Sequence, residues 1–148
     1  MSKRKNSIFI HVLIPMLIGG GIYIIFRDKN LLMFQWFELI GISDKIDYLR
    51  LYFSDQQMPY WVLFNFADGV WIYSFVSLML IIWEDANSVY RYYWYILAPI
   101  LGISAELGQY TNLVPGTFEV NDLIFCLIGS VLPFIFIKFN YYKLLWKE

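Results

Sequence analysis

Residues 8–26 read IFIHVLIPMLIGGGIYIIF, an apolar run broken only by His11. Lys3, Arg4 and Lys5 precede it, and Arg27-Asp28-Lys29 follows it without a gap. A helix rising 1.5 Å per residue over such a run covers a hydrocarbon core roughly 30 Å thick. A secretory signal begins with the same charged-then-apolar layout, but no small-residue cleavage site ends this one. The run is therefore expected to be a retained transmembrane helix. Pro15 and Gly19-Gly20-Gly21 mark places where it bends or where another helix approaches closely.

Working outward from that run, three more have spanning length: Tyr60 to Trp83, Tyr90 to Tyr110, and Val120 to Phe139. Their ends are crowded with Tyr60, Trp61, Trp83, Tyr90, Tyr92, Tyr93, Trp94 and Tyr95, rings that favour the headgroup level of a bilayer. Between the first two runs, Leu31 to Pro59 is too charged to span. There Leu32, Trp36, Leu39 and Ile40 recur at helical spacing beside Gln35 and Glu38, the pattern of a helix lying on the membrane surface. The expected fold is an all-α membrane protein, a single domain of four transmembrane helices with an interfacial helix between the first and second.

Composition leads to the same place. Hydrophobic residues make up 59% of the 148 positions and charged residues 16%, more apolar surface than a soluble domain of this size can bury in its own core. The lipid bilayer is the expected partner. No basic stripe is present to neutralise a row of phosphates, which argues against nucleic acid. Cys126 stands alone in an apolar run, with no second cysteine for a disulfide or a thiolate metal site. Walker, dinucleotide-binding, zinc and nucleophile-elbow motifs are all missing.

The distribution of Lys and Arg sets an expected orientation. With four spans and both termini cytoplasmic, Lys3, Arg4, Lys5, Arg91, Lys138, Lys143 and Lys147 fall inside, against Arg27, Lys29, Lys45 and Arg50 outside. The loop Thr111 to Asn121 has no Lys or Arg and is expected on the outer face of the inner (cytoplasmic) membrane.

Ionised groups at the centre of a spanning helix cost about 2.5–3.5 kcal/mol on insertion scales, so each polar residue within a run requires a reason. His11, Asn65, Asp68, Glu106, Gln109, Asn121 and Asp122 are the residues concerned. Glu106 and Gln109, three apart, share a helical face. A short hairpin returns the chain to Asn121 and Asp122, and Asp68 enters its helix from the same side. Glu106, Gln109, Asp122, Asp68 and Asn121 are thus the expected lining of an outer-facing acidic pocket, able to hold a lipid headgroup, a small polar ligand or a divalent cation. Structural roles compete with this: Asn121 and Asp122 can cap a helix, and Glu106 can hydrogen-bond between helices for packing alone. His11 has no second histidine to share a metal and is expected to be a satisfied interfacial residue. Gly129-Ser130 is expected to be a packing surface.

The order Glu106-Leu-Gly-Gln109, Pro115-Gly116-Thr117-Phe118, Asn121-Asp122-Leu123 and Gly129 resembles the VanZ-like family of small membrane proteins. In that family a Glu and a Gln three apart end one helix, a Pro-Gly turn follows, an Asp opens the next helix and a Gly comes about two turns on. The likeness covers residues 101–134. Thr117 stands where the family commonly has Arg, so no anion-binding role is carried over to it, and Asn65 is followed by Ala67-Asp68-Gly69 where the family usually has a Pro-Gly element. The resemblance implies a role in the cell envelope. Three functions are compatible: binding of a polar ligand or headgroup without a resident cofactor, a membrane enzyme using paired carboxylates or a divalent metal on a lipid-linked substrate, and a subunit of a homo-oligomeric assembly or channel.

Overall fold

The computed structural model describes residues 3–138, and every regular element among them is helical. In chain order these are α1 (Arg4–Phe26), α2 (Leu32–Leu39), α3 (Ser43–Tyr52), α4 (Val62–Ile82), α5 (Tyr90–Tyr110) and α6 (Val120–Ile137). Phe139, Lys143 and Lys147, which entered the expected last span and the charge balance, lie outside the described residues.

Helices α1, α4 and α6 are long and apolar enough to cross a membrane. Their outward faces carry large apolar side chains, Leu17 at 72% exposure and Val131 at 53% among them, as a helix solvated by lipid requires. The expected count of four spans differs from this. The run Tyr90–Tyr110 does form one 21-residue helix, but it is not among the three apolar enough to cross. The tyrosines and tryptophan of its first turns, Pro99, Glu106 and Gln109 all dilute its apolar character.

Helix α4 is the centre of the bundle, touching α1, α5 and α6. Its buried face includes Ala67, Val76, Leu80 and Ile81, and Val76 and Leu80 share a core cluster with Tyr95 of α5. The closest pairing is α4 with α6. A Cβ on Gly129 would run into the carbonyl oxygen of Gly69, and one on Gly69 would stand 2.9 Å from the carbonyl oxygen of Phe125. The expected packing surface at Gly129 is therefore occupied within the chain. Gly19 meets the Trp71 ring, whereas Gly20 and Gly21 face open space.

Among the described residues three π-helical turns interrupt the regular winding, at Phe9–Leu13, Val62–Phe66 and Phe134–Lys138. The first ends just before Pro15, whose missing N–H and bulky ring disfavour a tight α turn there. The sequence placed a bend or a close approach at Pro15, and beside it the structure has this π-helical turn.

Between α1 and α4 the sequence predicted one interfacial helix; the chain forms two, α2 and α3. Gly41, at φ 71°, ends α2. The N–H of Gly41 bonds to Glu38 O and that of Ile42 to Phe37 O, the paired bonds of a Schellman motif, and only glycine enters the left-handed region without strain. Arg50 of α3 then donates to the carbonyls of Ile24 at 2.7 Å and Arg27 at 2.9 Å, satisfying acceptors that the end of α1 leaves open.

The helix ends sort into two levels. At one, Arg4 donates to Ile81 O and Ile82 O at 3.1 and 3.2 Å, joining the start of α1 to the end of α4. At the other, the end of α1, the start of α4, the end of α5 and the start of α6 come together. Buried Asn65 and Glu106 lie at this second level, while the other buried polar side chains, Ser74 and Ser77, lie along the middle of α4.

Candidate functional site

Helix α5 ends in a second Schellman arrangement, with Asn112 at φ 57° in the position that Gly41 fills in α2. The N–H of Asn112 bonds to Gln109 O and that of Leu113 to Gly108 O. This reverses the chain sharply and lays Gly116, at φ 139°, against the side chain of Gln109: a Cβ there would lie 2.7 Å from the Gln109 amide. The glycine of the Pro115-Gly116 turn is required both for its backbone conformation and for that contact. The loop then delivers the backbone N–H of Glu119 to Glu106 Oε2 at 3.3 Å. Glu106, only 9% exposed, is thereby the side chain on which the hairpin closes.

Glu119 is the N-cap of α6, in extended backbone and with no side-chain capping bond. Its carboxylate is used elsewhere. Tyr60 donates its hydroxyl to Glu119 Oε1, and Asn65 Nδ2 donates to Glu119 Oε2 at 3.2 Å. The same amide nitrogen donates to Asp122 Oδ1 at 2.5 Å. Asn65 is 0% exposed, and its Oδ1 is buried with no hydrogen-bond partner. One amide thus bridges two carboxylates with its donors while its acceptor is left orphaned, an arrangement that costs free energy in a buried site. Asn65 stands in the π-helical turn Val62–Phe66, and such turns commonly aim a side chain that a regular helix would not.

A second polar group adjoins the first. Tyr23 of α1 donates to Asp68 Oδ1 at 2.6 Å. The Arg27 guanidinium lies over the Tyr23 ring at 4.7 Å and the Phe64 ring at 4.3 Å, with one long hydrogen bond of 3.4 Å to the Tyr23 hydroxyl. Among the described residues the ion pair is Lys29 with Asp47, outside this cluster. Arg27 makes no ion pair with these acids and reaches Asp68 only through the Tyr23 hydroxyl. Among the described residues no three His, Cys, Asp or Glu side chains form a group able to hold a metal ion.

Of the residues singled out in the sequence, Glu106, Asp122 and Asp68 do come to one end of the bundle, and Gln109 supports the turn that closes it. Asn121 is exposed and takes no part in these hydrogen bonds. Asp122 is in the first turn of α6, but its carboxylate takes the Asn65 amide rather than serving as the N-cap. His11 bonds to the Tyr73 hydroxyl at 2.6 Å through Nδ1 and is a satisfied histidine. It lies about 18 Å along α1 from Tyr23 at helical rise. Sequence reasoning passed over Glu119, Tyr60, Tyr23 and Arg27 as site residues. The signal available was positional, since each sits within a turn of a span boundary at the level where Asp68 and Asp122 enter. Comparison with family models, with curated proteins and with solved structures finds no match to this chain.

Proposed function

We propose that this chain is a multi-pass envelope protein of the VanZ-like type, which binds a polar ligand or lipid headgroup at the acidic cluster of Glu106, Glu119, Asp122 and Asp68. The observation that carries the reading is Asn65, fully buried, holding Glu119 and Asp122 together through one amide nitrogen while its own oxygen has no partner. The two bonds made by Nδ2 stabilise the cluster, whereas the orphaned oxygen is a cost that packing alone does not explain. The cluster also stands at the level of the helix ends, where headgroups lie.

Two further parts of the proposal concern placement. Helix α5 is read as a fourth crossing. In support of it, α5 starts just after the end of α4, packs against both α4 and α6, and reaches the start of α6 at Glu106. Its 21 residues measure about 31 Å at helical rise. Both termini are then cytoplasmic, and the cluster faces outward on the inner membrane, in keeping with the Lys and Arg balance. The likeness to the VanZ-like family is supported by the parts played by its motif residues: Glu106 closes the hairpin, Gln109 seats Gly116, Asp122 takes the Asn65 amide and Gly129 admits α4.

The test is lipid retention. Native mass spectrometry of the protein extracted from bacterial membranes in mild detergent should find bound lipid on the wild type. The double variant Glu106→Gln with Asp122→Asn, which keeps an acceptor for the Glu119 N–H and for the Asn65 amide, should lose it while still unfolding in one cooperative transition. Equal retention by a folded variant would remove the proposed site.

A further inference from the structure

We infer that His11, Tyr73 and Ser77 form a proton-binding site in the half of the bundle away from the acidic cluster: the His11 ring takes up a proton at Nδ1, and the Tyr73 hydroxyl turns from His11 to Ser77 as it does so. His11 is the one histidine of the chain. It stands in the π-helical turn Phe9–Leu13, three residues inside the apolar run that begins at Ile8. The ring is half-buried, so that one side of it is open while Nδ1 faces α4. A histidine placed one turn from a span boundary can exchange protons with water at the headgroup level.

The bond between His11 Nδ1 and the Tyr73 hydroxyl, 2.6 Å long, holds one hydrogen, and either partner can donate it. Ser77 decides which one does. It lies one turn beyond Tyr73 on α4, 0% exposed, and its Oγ has no hydrogen-bond partner. Were Nδ1 the donor, the Tyr73 hydrogen would go to Ser77 or to nothing, since the hydroxyl has no partner but His11 among the described residues. With Ser77 unpartnered, the hydroxyl donates to Nδ1, and the neutral ring carries its own hydrogen at Nε2.

A buried hydroxyl without a partner costs free energy, and Ser74 shows the usual remedy, its Oγ donating to Val70 O at 2.9 Å. Ser77 does not take that bond, and its free lone pairs are what a protonated His11 requires. Once Nδ1 holds a proton it becomes a donor, the Tyr73 oxygen accepts from it, and the hydroxyl hydrogen needs a new acceptor. Ser77 Oγ, at i+4 on the same helix, supplies one. One proton is gained at Nδ1, no O–H bond of Tyr73 or Ser77 breaks, and the link between α1 and α4 is kept in both states. Other charges stand back from the ring. Tyr73 is the titratable side chain that α4, the helix packed on this turn, sets against it. Asp68 is about 8 Å of rise from Tyr73 and takes the Tyr23 hydroxyl, while Glu84 and Asp85 lie about 16 Å or more beyond Tyr73, past the end of α4. On α1, Lys5 and Arg4 are about 9 and 11 Å from His11 along the axis, and Arg4 is held by the carbonyls of Ile81 and Ile82. The proton is therefore held by hydrogen bonds and not by an ion pair.

A sole histidine makes the test direct. The full chain, carrying isotope-labelled histidine and held in nanodiscs, is followed by NMR of the ring nitrogens from about pH 8 to about pH 5. At the alkaline end Nδ1 should be the nitrogen without a hydrogen. Ser77→Ala removes the acceptor for the turned hydroxyl, and its ring should titrate about one pH unit lower than that of the wild type. Melting gives a second readout, in which the effect of the substitution depends on the proton. With His11 neutral, Ser77→Ala loses an unsatisfied hydroxyl and should melt at or above the wild-type temperature; with His11 protonated it should melt below it. A neutral ring that carries its hydrogen at Nδ1 overturns the inference. So does a Ser77→Ala midpoint equal to that of the wild type, or a melting temperature that Ser77→Ala displaces equally at both ends of the pH range.

Discussion

Asn65 concentrates the energetics of the site in one side chain. Its Nδ2 serves two carboxylates, and hydrogen bonds to charged groups contribute about 1.5–3 kcal/mol each. Replacing it with Leu removes both bonds and leaves Glu119 and Asp122 facing each other, but it also removes the orphaned Oδ1, a relief of about 1–3 kcal/mol. The two charged bonds outweigh the one neutral orphan. Asn65→Leu is therefore expected to lower stability by about 1–3 kcal/mol, measured by unfolding in a mixed-detergent titration, and a variant as stable as the wild type would mean that the bridge contributes nothing. At this scale the sequence was legible where a residue's position alone made it costly. Glu106, Asp122 and Asp68 stand in apolar runs, and the cost of burying them singled them out. Glu119 stands in a loop, where a carboxylate has no such cost, and its role exists only because the turn after α5 brings its backbone to Glu106. Arg27 and Tyr60 each had a sufficient other reason for being where they are, one as flanking charge and the other as an interface ring, so nothing in the sequence distinguished their second use.

At the scale of the helices, long apolar runs were readable because length and hydropathy decide them locally, and α1, α4 and α6 follow from those alone. What escaped was set by single residues acting on backbone geometry. Gly41 converts the expected interfacial helix into the pair α2 and α3, and Arg50, countable in the sequence only as a positive charge, ties α3 to the end of α1 through two carbonyls. Glycines of similar appearance also differ in what they do. Gly129 lies against the backbone of α4, so Gly129→Ala forces the α4 and α6 backbones apart, at about 1–3 kcal/mol by the usual cost of overpacking. Gly20 has nothing within reach of a Cβ, and Gly20→Ala gains helix propensity, up to about 1 kcal/mol. Melting temperatures in one detergent should therefore move in opposite directions for the two variants. Destabilisation by Gly20→Ala as large as that by Gly129→Ala would indicate that the open face of α1 is covered in the assembled protein.

For the whole molecule, the issue is whether α5 crosses the bilayer, since this fixes which side the termini occupy relative to the acidic cluster. Hydropathy separates α5 from α1, α4 and α6 because tyrosine and tryptophan score as mildly polar and because Glu106 and Gln109 lie near its end. Packing weighs the other way. Antiparallel neighbours joined end to end must cover the same depth, and α5 sits between α4, whose far end it follows, and α6, whose near end it meets. The aromatic rings at its start suit the headgroup level, and the acid near its end is enclosed by protein rather than lipid. A helix whose polar residues gather at its two ends can cross while scoring poorly along its length. If α5 crosses, a reporter active only in the cytoplasm should work when fused after Asp85 and at the C-terminus, and one active only outside should work when fused after Gly116. Identical sidedness at Asp85 and Gly116 would instead leave α5 on one face, put the C-terminus opposite the N-terminus, and require the cluster at Glu106 to close without α5 passing through the membrane.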